Sequence, residues 1–190
     1  MFDSLRRRLG RSRRTVSGST ATVPPLVLGA YRLHRADDVP RFTALAKEAF
    51  PQFASRIECF AADWLGNQFA TDAGRVTGGQ PLVLLLEPGT GQGLEVPANI
   101  DEFHSRELVE HAEACVALSF YKRWIAGGGA APAYEQCIGY KRPLYLGGVD
   151  EVENLEVSDF DVYWTISSQL LAKTRGLPPG TSIRRVSIGD

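Results

Sequence analysis

Three cysteines in 190 residues, Cys59, Cys115 and Cys137, are too few for a disulfide framework, and no two form a CxxC pair. Each sits in an apolar stretch (Ile57-Glu-Cys59-Phe60, Ala114-Cys115-Val116, Cys137-Ile138), so packing in a reducing cytoplasm is their expected role. No run of about 18 apolar residues exists, which removes a membrane-spanning helix. An Arg-rich start followed by the polar stretch Thr15 to Thr22 lacks the apolar segment that an export signal needs. A Gly-x-Ser-x-Gly elbow is missing, so serine-hydrolase chemistry has no visible nucleophile. The glycines of Gly89-Thr-Gly91-Gln-Gly93 are followed by Leu94-Glu95 rather than by a phosphate-binding Lys, and they read as a β-turn.

What remains is ordinary in bulk and uneven in detail. Hydrophobic residues make up 44% and charged residues 23%, enough for one sizeable core. The formal charge of −1 conceals a split. Arg6, Arg7, Arg8, Arg11, Arg13 and Arg14 face only Asp3 in the first fourteen residues, a net +5. Fifteen Lys and Arg against 21 Asp and Glu then leave residues 15–190 at −6. Residues 1–25 read as a disordered basic arm closed by Pro24-Pro25, residues 26–176 as one domain, and residues 177–190 as a tail. The arm has no interleaved aromatics, so direct nucleic-acid binding is not expected, nor is a membrane partner.

The pattern of the body predicts alternating helix and strand. Asp38 to Phe50 reads as a helix with Pro40 in its first turn and Pro51 beyond its end. Ile57 to Ala62 alternates as a strand, with Ile57, Cys59 and Ala61 on one face. Gly66-Asn67 turns it into Gln68 to Thr71, and Asp72-Ala-Gly74 is expected to break the chain. Leu82 to Leu86 is a continuous apolar run, a strand buried on both faces, and Pro88 to Gly91 returns it into Gly93 to Val96. A long helix capped by Ser105 is expected to carry Leu108, Val109, Ala112, Cys115, Val116, Phe120 and Trp124 inward, and Gly127-Gly128-Gly129 ends it. Pro143 to Gly148 reads as a short strand with a double-glycine turn. An acidic connector leads to a last helix, Ser158 to Arg175. The fold class is α+β: a mainly antiparallel sheet with flanking helices.

Chemistry-bearing clusters are sparse. His104, Glu107 and His111 fall at i, i+3 and i+7, which is not the H-E-x-x-H spacing, and no metal or cofactor is expected. A cleft near Asp63, His104 and Glu107 is the alternative reading, a small-molecule-binding or enzymatic α+β domain. The most distinctive feature is acidic. Asp150, Glu151, Glu153, Glu156, Asp159 and Asp161 put six carboxylates into twelve residues with no Lys or Arg between them. Asp159 and Asp161 suit a helix N-terminus. The others suit either a solvated loop or a surface that meets a basic partner.

The segment Gly139-Tyr-Lys-Arg-Pro143-Leu-Tyr-Leu-Gly-Gly148, with Glu153-Asn-Leu-Glu-Val-Ser-Asp159 and Asp161-Val-Tyr-Trp164, resembles the signature of a bacterial immunity-protein family. That family is named for the partner of a type VI secretion DNase effector. Asp63-Trp-Leu-Gly-Asn67-Gln-Phe-Ala70 and Leu85-Leu-Glu-Pro-Gly-Thr-Gly91 resemble its upstream hairpins, so the likeness spans about residues 57–172. The pattern is also similar to the SUKH-type immunity domains. The resemblance implies a SUKH-like single domain in the cytoplasm, with no catalysis of its own. It implies a protein that binds and neutralises a toxin, a nuclease effector with a basic surface. On that reading the contact residues are Asp150, Glu151, Glu153, Glu156, Asp159 and Asp161 with Tyr140 and Trp164. The aromatics pair an apolar body with a polar tip, which suits either an interface centre or a core boundary.

Overall fold

In the computed structural model the described residues are 23–177, and the arm (up to Thr22) and tail (from Pro178) expected at the two ends lie outside them. Five strands form one antiparallel sheet in sequential order: β1 (Tyr31–Leu33), β2 (Ile57–Asp63), β3 (Gln68–Thr77), β4 (Gln80–Glu87) and β5 (Gln92–Glu95). A separate hairpin pairs β6 (Gln136–Tyr140) with β7 (Leu155–Asp159). The α+β class with a mainly antiparallel sheet and flanking helices is therefore what the chain adopts.

β4 shows why the sheet is covered on both faces. Side chains alternate across a strand, so Val83 and Leu85 enter one core while Leu84 and Leu86 enter another. The first core lies under a helical run from Ile100 to Ala126, with Phe103, Leu108, Val116, Leu118 and Phe120 against Trp64 and Phe69. The second lies under α1 (Val39–Ala49) and the last helix (Phe160–Thr174), with Phe42, Phe50, Phe160 and Trp164 against Cys59 and Ala70.

Several elements differ from the sequence expectation, each for a local reason. β3 does not stop at Asp72 but runs to Thr77 through a register shift between Asp72 and Val76. Asp72 is fully buried, accepts from the Gly74 N–H at 2.9 Å and pairs with Arg56 Nε at 3.1 Å, so the irregular backbone keeps its bonds. A second bulge between Cys59 and Ala61 turns Ala61 to the first core and leaves Ala62 in the second, reversing the expected faces.

The long helix is capped by Asn99, not Ser105. Asn99 Oδ1 accepts from the Glu102 N–H at 3.0 Å and Glu102 returns the bond to the Asn99 N–H, a capping box. The helical run is also broken: Ile100–Glu102, a π-helical turn Phe103–Glu107, Leu108–Glu110, α2 (Ala112–Val116) and α3 (Leu118–Ala126). Ala117 between the last two is left-handed at φ 47°. Breaking there frees the Val116 carbonyl to accept from Trp64 Nε1 at 2.9 Å. In the separate piece Leu108–Glu110, Val109 is exposed rather than in the core.

Pro143 to Gly148 is not a strand. Leu144–Leu146 is a 3₁₀ turn, and Gly147 is left-handed at φ 81°. The strands of this region are instead β6 and β7, so the acidic stretch is partly extended and paired. The last helix, α4 (Phe160–Thr174), starts two residues late because Asp159 rather than Ser158 caps it, accepting from the Val162 N–H at 3.0 Å.

Candidate partner-binding surface

The motifs singled out in the sequence meet around the β6–β7 hairpin, and most of them act as staples of the fold. β6 hooks onto the main sheet: the Ile138 N–H donates to the Trp64 carbonyl at 2.7 Å, and Arg32 Nη2 of β1 donates to the Gln136 carbonyl at 2.7 Å. In the turn after β2, Asp63 Oδ1 accepts from the Asn67 N–H at 2.9 Å and Oδ2 from Asn67 Nδ2 at 2.8 Å. Gly66 is left-handed there, and its carbonyl accepts from Trp164 Nε1 at 2.8 Å. In the turn after β4, the Thr90 hydroxyl donates to Glu87 Oε2 at 2.7 Å, and the Gly89 carbonyl accepts from the Leu144 N–H at 2.9 Å. A Cβ at Gly89 would lie 2.5 Å from the Tyr140 ring, so this close approach requires glycine.

Asn154 holds the loop between the hairpin strands. Its Nδ2 donates to the Arg142 carbonyl at 2.8 Å and to the Val149 carbonyl at 2.9 Å, and its Oδ1 accepts from the Arg142 N–H at 3.1 Å. The eight residues named as contacts then separate. Trp164 is 0% exposed and belongs to the second core. Tyr140 is buried too, and its hydroxyl donates to Asp150 Oδ1 at 2.6 Å. Burial and the Asp150 charge both push the Tyr140 phenol upward. Asp161 pairs with Arg41, which also holds Glu135 at 2.8 Å. Asp159 caps α4, and Glu151 reaches Arg123 at 3.2 Å across an exposed pair. Glu153 and Glu156 are exposed and have no ion pair among the described residues. The six acids thus all reach the surface at least in part, whereas Tyr140 and Trp164 are buried beneath this region.

The residues of the alternative cleft are each engaged locally. His104 Nδ1 lies 2.9 Å from the Ile100 carbonyl and must carry the proton to donate there, so Nε2 accepts from the Tyr31 hydroxyl at 2.9 Å. Burial lowers the His104 pKa and keeps it neutral. Glu107 is buried and takes Arg106 at 2.7 Å. Asp63 is pushed up to about 8, first by burial, against the two Asn67 bonds that favour its charge. Among the described residues no group of three or more His, Cys, Asp and Glu is placed to hold a metal ion. The three cysteines are free thiols, and burial pushes Cys59 and Cys115 up to about 12, far from thiolate reactivity. No described helix is long and apolar enough to cross a membrane.

Sequence reasoning missed Asn154, the three-bond clamp, and the Asn67 donors. A signal for the first was present, since an Asn between a Gly-Gly turn and a strand is well suited to bond exposed loop carbonyls.

Residues 98–171 match the family model described as T6SS immunity protein Tdi1, C-terminal. That span contains the helical run, the β6–β7 hairpin and all but the last residues of α4. Among solved structures, the crystal structure of Atu4351 from Agrobacterium tumefaciens is similar with a TM-score of 0.50 and 18% identity. The match covers 74% of this chain and 67% of that one, and at such identity it shows the fold alone. No curated protein sequence matches this chain.

Proposed function

We propose that this chain is a non-catalytic immunity protein of a type VI secretion system, which binds a toxin in the cytoplasm and neutralises it by occlusion. The observation that carries the reading is the family match over residues 98–171, which contains the whole acidic strip. Binding alone suffices for such a role, and the engaged state of Asp63, His104 and Glu107 agrees with it. The toxin is a nuclease with a basic surface, since a protein that grips polyanionic substrate offers positive charge to an acidic strip. Contacts come from Glu151, Glu153, Glu156 and Asp159, with Asp150 and Asp161 held by Tyr140 and Arg41 behind them.

Co-expression with the product of the adjacent open reading frame tests this. The expected result is rescue of growth and a stoichiometric complex on gel filtration. A toxic neighbour that is neither rescued nor bound would overturn the proposal.

A further inference from the structure

β7 is an edge strand, and its outer side is unoccupied by the described chain. The Lys141 N–H donates to the Asn154 carbonyl at 2.8 Å, and the Phe160 N–H to the Glu135 carbonyl at 2.9 Å. Antiparallel ladders alternate, so Asn154, Glu156, Ser158 and Phe160 bond toward β6 while Leu155, Val157 and Asp159 point their peptide groups away. The Leu155 N–H is taken by the Val152 carbonyl. Among the described residues nothing bonds the Val157 N–H or C=O, the Leu155 C=O or the Asp159 N–H. Val157 is 50% exposed, and Val162, whose N–H is held on Asp159, is 53% exposed.

Proteins normally protect such an edge with Lys, Pro or a bulge. Here the residues along it are Glu153, Glu156 and Asp159, all exposed carboxylates. Resting on the immunity reading above, we propose that the β7 edge docks an extended segment of the partner protein by strand addition. In that segment Lys or Arg alternates with β-branched or aromatic residues. The alternation follows from register: a residue opposite Val157 meets an apolar side chain, and its two neighbours lie on the face that carries Glu156. A second copy of the chain would bring two acidic strips together, which argues against self-pairing. The chain's own arm is basic, but Arg6-Arg7-Arg8 and Gly10 do not alternate.

The test uses the full chain, labelled with ¹⁵N, and amide exchange. In the free protein the Glu156 and Ser158 amides should exchange slowly and the Val157 amide fast. A capped peptide of about nine residues alternating Val and Lys should slow exchange at Val157 and Asp159 by at least about tenfold. Its affinity should fall several-fold as salt rises from about 50 to 300 mM. The same peptide with Pro at its central Val positions keeps the charge and should lose the protection. Equal binding by the Pro peptide, or protection elsewhere only, would overturn strand addition. Protection of Val157 in the free chain would also overturn it. Its release on deleting residues 1–22 would name the arm as occupant, and its dependence on protein concentration would name a second copy. None of these results touches toxin rescue, so docking mode and immunity function fail separately.

Discussion

Asp63 and His34 set opposing pH dependences of stability that can be tested. Asp63 is 1% exposed, and its carboxyl is raised from 3.8 to about 8, chiefly by burial. The unfolded chain therefore releases this proton near pH 4 and the folded chain retains it to about pH 8. A raised pKa contributes stability that is complete below the unfolded value and is lost as pH rises toward the folded one. His34, stacked 4.2 Å from Phe42 and 3.2 Å from Gln68 Oε1, is lowered from 6.5 to about 4 by burial. Its contribution runs the other way, complete above pH 6.5 and lost as pH falls toward 4. One proton per pH unit is about 1.4 kcal/mol. These two slopes oppose each other between about pH 4 and 6.5, and above 6.5 the Asp63 slope is no longer offset by that of His34. Stability should then fall by up to about 2 kcal/mol between pH 6.5 and 8.

Urea unfolding in steps of pH, with the m-value checked for constancy, measures this. Asp63→Asn removes the titrating group, and a flip of the Asn67 amide presents an acceptor to the new donor. The variant should be flat where the wild type declines. A wild-type curve that is level or rising through pH 6.5–8, and parallel to Asp63→Asn, would refute the reasoning. It would mean that the two Asn67 donors outweigh burial and hold Asp63 ionised.

Two further outcomes are expected. Asn154→Ala deletes three hydrogen bonds to the 142–149 loop and should cost about 2–4 kcal/mol in chemical denaturation, more than a surface substitution can. Glu153→Lys with Glu156→Lys, at exposed sites without ion pairs among the described residues, should change stability by less than about 0.5 kcal/mol. The same pair should slow association with the proposed basic partner severalfold at low salt and lose that effect at high salt, as read by stopped-flow or surface binding.

The parts that were legible in the sequence are those where local pattern and tertiary environment agree. α1 has Pro40 inside its start and Pro51 past its end, and β4 reads as buried because it is apolar on both faces. The acidic strip was visible as composition. The failures have a common cause in long-range bonds that override periodicity. Leu108 to Trp124 keeps helical spacing, yet the Trp64 indole captures the Val116 carbonyl and the helix breaks at Ala117. Leu155 to Asp159 contains two acids and few β-formers, so it read as a connector, and its pairing partner lies across the Asn154 clamp. Tyr140 and Trp164 could not be assigned to core or surface from spacing alone. Only the Gly89 approach and the Gly66 carbonyl decide it.

The doubly buried sheet bears on how far this fold can be divided. The family match begins at Ala98, just after β5, so the matched span holds the later helices and the hairpin but neither α1 nor any of the five strands of the main sheet. Phe103, Leu108 and Phe120 find their neighbours in Trp64 and Phe69, and Trp164 finds its acceptor at Gly66. A change in β2 to β4 thus reaches both cores through alternate side chains of the same strand. The hairpin that carries the acids is supported by residues outside the matched span, so a substitution at Trp64 or Gly66 would reach that surface without touching it.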